Sequence, residues 1–88
     1  MSVEVGDYVA LIADTKVFCR PGDKKLLLLS NPISIQISQV DVGRFGFFEK
    51  KDRVCTCKCL LEDGSVIEML VADRDLVLDE TGPQRHRQ

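Results

Sequence analysis

Asp63-Gly64 stands between two runs of alternating apolar residues, and no other feature of the chain constrains its fold as strongly. Asp-Gly supplies the positive backbone dihedrals of a two-residue type I′ turn, whose twist matches that of paired strands. The flanking runs, Arg53 to Leu61 and Ser65 to about Val71, therefore predict an antiparallel hairpin. With Asp63-Gly64 as the whole loop, Glu62 pairs with Ser65, Leu61 with Val66, and Cys59 with Glu68. One face then carries Cys55, Cys57, Cys59, Leu61, Val66 and Leu70. The other carries Val54, Leu60, Ile67, Met69 and Val71, with Thr56 and Lys58 as its polar members. Both faces are largely apolar, where a hairpin with one wet face shows a clean split. The second apolar face thus becomes a candidate contact surface.

Strand periods dominate the rest of the chain. Residues 3 to 12 (VEVGDYVALI) alternate and then turn apolar, which predicts a first strand entering a core. Val17 to Cys19 predict a short second strand, and Pro21-Gly22-Asp23 a tight turn. Leu26 to Leu29 predict a third strand buried on both faces, broken at Asn31-Pro32. Residues 33 to 40 set Ile33, Ile35 and Ile37 to one side and Ser34, Gln36 and Ser38 to the other, a half-exposed strand. Gly43 and Gly46 frame Phe45 at a predicted bend before Phe47 and Phe48. Residues 72–75 predict one tight or 3₁₀ turn, and Leu76-Val77-Leu78 a last strand. No helix longer than a turn or two is expected.

The stretch Val42 to Glu49 (VGRFGFFE), the strand 53–61, the Asp63-Gly64 hairpin and the turn before Leu76-Val77-Leu78 resemble the second half of SH3-like barrels. That group includes the Tudor, KOW and CAP-Gly domains. Gly6-Asp7 before Tyr8-Val9 is similar to their opening strand, so the resemblance spans about half the chain. It implies an all-β fold, a small antiparallel SH3-like barrel with an inserted hairpin at Pro21 and a disordered C-terminal tail. The expected division is one β-barrel domain over 1–80 and a flexible tail over 81–88, which carries no apolar residue. The Gly-Lys-Asn-Asp-Gly groove motif of CAP-Gly domains is absent, so microtubule-end binding gains no support.

The residues that invite chemistry do not assemble into a reaction centre. Cys55, Cys57 and Cys59 alternate along one predicted strand, with side chains about 6.5–7 Å apart on one face. Zinc knuckles need a tight turn that aims two sulfurs at one ion, and neighbours two apart on a strand are poorly placed for a disulfide. The cysteines are expected to be small buried hydrophobes. A bridge from Cys19 is geometrically conceivable, but no basic stretch followed by an apolar core marks the start as a secretion signal. The one histidine, His86, lies in the tail. Asp73, Asp75, Asp79 and Glu80 lack the glycine-kinked loop of a calcium site, and no glycine loop opens a helix to cradle phosphate. No catalytic residue, metal or cofactor is expected.

The expected function is therefore a non-catalytic protein–protein interaction module, binding a peptide segment or partner subunit through a sheet edge or the apolar hairpin face. Its candidate contact residues are Lys58, Leu60, Ile67, Met69, Val71, Phe45 and Phe47. Homodimerisation through the same face is a second form of this expectation. The alternative is a nucleic-acid-associated barrel of the KOW or Tudor type using Lys24, Lys25, Lys50, Lys51 and Arg53. A net charge of −2 argues against it, because phosphate binding rests on a basic surplus. Leu26 to Leu29, like every other aliphatic run, is far short of the ~20 residues of a membrane span, so a cytoplasmic or nuclear setting is expected.

Overall fold

The computed structural model describes residues 3–12, 15–42, 46, 48–49 and 51–79. Among the described residues five strands and two helical segments follow one another: β1 (Val9–Leu11), α1 (Pro21–Leu29), β2 (Ser34–Val42), β3 (Arg53–Leu60), β4 (Val66–Ala72), a 3₁₀ turn (Asp73–Asp75) and β5 (Leu76–Leu78). The expected hairpin, the turn after it and the last strand are all present. Phe45 and Phe47, Lys50 and the 81–88 tail lie outside the described residues.

Leu26 to Leu29 are not a buried strand; they form the second half of α1. Pro21 sits at the first helical position, where its missing N–H breaks no bond and its fixed φ suits the helix. Asp23 meets the positive end of the helix and accepts from Arg20 Nε at 2.9 Å. The Lys24 N–H donates to the Arg20 carbonyl at 2.9 Å, closing the first turn. Leucine and lysine then fill the helix without a β-branched residue. Leu27 packs against the core, whereas Leu28 and Leu29 are 75% and 73% exposed. The inserted β-hairpin expected at Pro21 is thereby replaced by a helix.

The β3–β4 hairpin turns through three residues, not two. Gly64 N–H donates to the Leu61 carbonyl at 2.9 Å, and Leu61 N–H to the Ser65 carbonyl at 2.9 Å. Gly64 takes the positive φ of +89° that follows a type I turn in such loops. Ser65 N–H donates to Asp63 Oδ1 at 2.8 Å, and this bond holds the Asp63 carboxyl below its usual range. The register is Leu60↔Val66, Cys59↔Ile67, Lys58↔Glu68, Cys57↔Met69 and Cys55↔Val71. A one-residue slip moves every β4 side chain to the other face. The two-residue loop would have placed Glu68 beside Cys59 in the interior; the observed one places Ile67 there.

The register sets the β4 residues that face the core. Cys55, Cys57 and Cys59 pack with Ile67, Met69 and Val71, all between 0 and 3% exposed. Ile35 and Ile37 of β2 join them, opposite Cys59 and Cys57. Ile33, expected on the same side, is exposed. A bulge at Ser38 restores the alternation so that Val40 packs inward opposite Cys55. Val3, Val9, Leu61 and Leu76 complete the core. The candidate contact residues Ile67, Met69 and Val71 are thus core residues, and the opposite face carries buried Val54 and Ala72 with Leu60, Val66 and Leu70 beside Thr56, Lys58 and Glu68.

Two antiparallel sheets result, β2-β3-β4 and β1-β5. They are joined at Tyr8↔Gln36, where Gly6 N–H donates to the Ile37 carbonyl (2.8 Å) and Ile37 N–H to the Asp7 carbonyl (3.0 Å). At the other side of the three-stranded sheet Phe18 bridges Leu70. Among the described residues the strands do not close into a barrel. The reason is local: the segment that begins to pair with β4 at Phe18 enters α1 three residues later.

Candidate functional site

The face of β2-β3-β4 turned away from the core forms the floor of an open groove of about 1160 Å³. Three rows cross this face of the sheet, set by the strand register, and the groove takes Gln39, Thr56, Lys58, Val66, Glu68 and Leu70 from them. Ser34, Leu60 and Val66 form the row nearest the hairpin loop, and Gln36, Lys58 and Glu68 the next. Gln39, Thr56 and Leu70 form the third, which Phe18 continues. Cys19, Arg20 and Asp23 line the wall. The charges balance: Arg20 holds Asp23 at 2.8 Å, and Lys58 stands opposite Glu68.

One edge of this floor is open. Leu70 N–H donates to the Phe18 carbonyl at 2.8 Å, and Phe18 N–H to the Leu70 carbonyl at 3.1 Å. Leu70 therefore directs its backbone away from β3, and by the alternation of an antiparallel ladder so do Glu68 and Val66. Their N–H and C=O groups have no backbone partner among the described residues. The carbonyl that would continue the ladder belongs to Arg20, and the first turn of α1 has captured it. Among the described residues four backbone groups are thus left without a backbone partner along this edge, beside the groove.

Comparison with protein-family models, with curated proteins and with solved structures returned no match. The site is accordingly read from its own geometry.

Of the sequence-derived contact residues, Lys58 lines the groove, Leu60 lies on the same face of the sheet, and Ile67, Met69 and Val71 turn their side chains to the core. The basic residues are dispersed. Lys24 and Lys25 are exposed on α1, and Lys51 sits in the turn before β3. Arg53 donates to the Val3 carbonyl at 2.9 Å and reaches Glu4 and Asp73 at 3.5 Å each. Around Lys51 and Arg53 the cleft also holds Glu49, Asp52, Asp73 and Arg74. Asp52 is buried, accepts from the Glu49 N–H at 3.1 Å and pairs with Arg74. This is a charge-balanced ion cluster.

The residues sequence reasoning passed over are Val66, Glu68, Phe18 and Arg20. Their signal was Pro21 followed by Asp23 and a leucine-lysine run, a helix start that also marks where the neighbouring strand must end.

Proposed function

We propose that this domain is a non-catalytic interaction module that binds an extended peptide segment by strand addition to β4. The observation that carries the reading is the pair Val66 and Glu68, whose outward backbone groups have no backbone partner among the described residues, beside a groove. Natural sheets cover or blunt such edges, since unpaired strands recruit other chains. Here the covering segment stops at Phe18. The groove floor offers a mixed surface of Val66, Leu70, Thr56 and Lys58, suited to alternate side chains of an added strand.

The architecture we propose is an opened relative of the SH3-like barrels. The support is the order of elements: a three-stranded meander, a 3₁₀ turn, then a short β5 that returns antiparallel to β1.

Glu68→Pro tests the binding mode. Proline removes the outward N–H of residue 68 but leaves the bonds between β3 and β4, which fall on the odd-numbered residues of β4. Peptides selected from a display library against the full chain should shift the amide signals of Val66, Glu68 and Leu70. Glu68→Pro should weaken them about tenfold or more, because one of four backbone bonds is lost and the edge is sterically blocked. Binding that is indifferent to the proline, or signals that move on β1 and β5 instead, would overturn the proposal.

A further inference from the structure

Residues directly opposite one another on adjacent strands share a face, so an added strand would extend each row of the groove floor by one side chain. The third row shows what extension looks like, because the chain performs it on itself: beside Leu70 stands Phe18, apolar against apolar. The second row, Gln36, Lys58 and Glu68, ends on a carboxylate. The first row ends on Val66, which is 56% exposed.

Extending the antiparallel Phe18–Leu70 register by two residues sets Arg20 opposite Glu68. The chain thus carries a cation at the register position that would complete the charged row. It is diverted: Arg20 caps α1 with extended dihedrals, gives its carbonyl to Lys24, and lays its guanidinium on Asp23. Among the described residues none pairs with Glu68 on its outer side.

We infer that the partner segment carries a lysine or arginine opposite Glu68 and an aliphatic residue two places away, opposite Val66. This rests on the strand-addition reading and names its ligand chemistry. Phe18 closes the edge at Leu70, so the segment enters from the end bearing the 62–64 loop. It exchanges backbone bonds with Glu68 and Val66, and its cation lies beside a carboxylate already flanked by Lys58.

A display library of random nonapeptides, selected separately against the full chain and against Glu68→Lys, tests this. Glu68 is exposed, so both proteins keep the same fold, checked by their circular dichroism. Peptides selected by the wild-type chain should be enriched about fivefold in lysine or arginine at one position, the factor an exposed ion pair supports. An aliphatic residue should recur two places from it. The Glu68→Lys pool should switch that position to aspartate or glutamate. Pools with the same charge preference or none, whose members still shift Val66 and Glu68 amides, would overturn this inference and leave strand addition standing. An absence of binders, or binders that map away from β4, would overturn both.

Discussion

Met69→Asp is expected to leave the chain unfolded, whereas Glu68→Lys, one residue away, keeps the native fold. Met69 is 1% exposed and lies opposite Cys57 in the centre of the core. An aspartate there must either bury a charge without a partner or hold its proton at neutral pH. Either route costs several kcal/mol. Small domains have a net stability of only about 5 kcal/mol or a little more, so the variant falls below the threshold. The milder Met69→Ala should cost about 2–5 kcal/mol through lost burial and a residual cavity. Glu68→Lys places a second cation opposite Lys58 on a wet face and should cost under about 1 kcal/mol. Urea unfolding followed by circular dichroism checks all three. The opposite ranking would mean that β4 is slipped by one residue, as a two-residue loop requires.

Alkaline conditions should unfold the protein through its buried thiols. Burial pushes Cys57 and Cys59 up to about 12 and Cys55 up to about 11, from an ordinary 9.0. The charge of Asp73 adds to the effect at Cys55, and neighbouring cysteines add to it at the other two. Above pH 9 the unfolded chain releases protons that the folded chain retains. Stability therefore falls as pH rises, from about 9 until the folded thiols themselves titrate near 11 to 12. Each thiol contributes a slope of up to ~1.4 kcal/mol per pH unit, so three can reach ~4 kcal/mol per unit. The expected result is a steep loss of unfolding free energy between pH 9 and 10.5. A chain with alanine replacing Cys55, Cys57 and Cys59 should start less stable and show a much flatter dependence. Equal slopes in the two proteins would contradict the burial of the cysteine row.

Much of this was legible in the residues themselves. The β3–β4 hairpin, the 3₁₀ turn and β5 followed from Asp63-Gly64 and from the periods around it. The loop length did not, because glycine at position 64 satisfies both a two-residue and a three-residue turn. Pairing decided it: only the three-residue loop sets Ile67, Met69 and Val71 against the cysteines and turns Glu68 outward. The same slip put Ile67, Met69 and Val71 on the outer face, where Val66, Glu68 and Leu70 stand. Leu26 to Leu29 were ambiguous for another reason. A four-residue apolar run fits a buried strand or a helix, and the deciding features, Pro21 and Asp23, lie ahead of it.

The candidate site was less legible than the fold. Whether Val66 and Glu68 are an edge depends on where the segment beside them leaves the sheet. That point is set by the competition between a ladder bond to Glu68 and the first turn of α1 for one carbonyl, that of Arg20. Sequence identifies the helix start; only the assembled sheet shows which strand it leaves uncovered.

Hydrogen–deuterium exchange of the backbone amides, resolved residue by residue by NMR, tests the open edge most directly. Ile67, Met69 and Val71 should exchange slowly through their bonds to β3, and Leu70 through its bond to Phe18. Val66 and Glu68 should exchange almost as fast as an unstructured chain, and slow down when a strand-forming peptide is added. Protection of Val66 and Glu68 equal to that of Met69 in the free protein would show the edge already covered and would contradict the account.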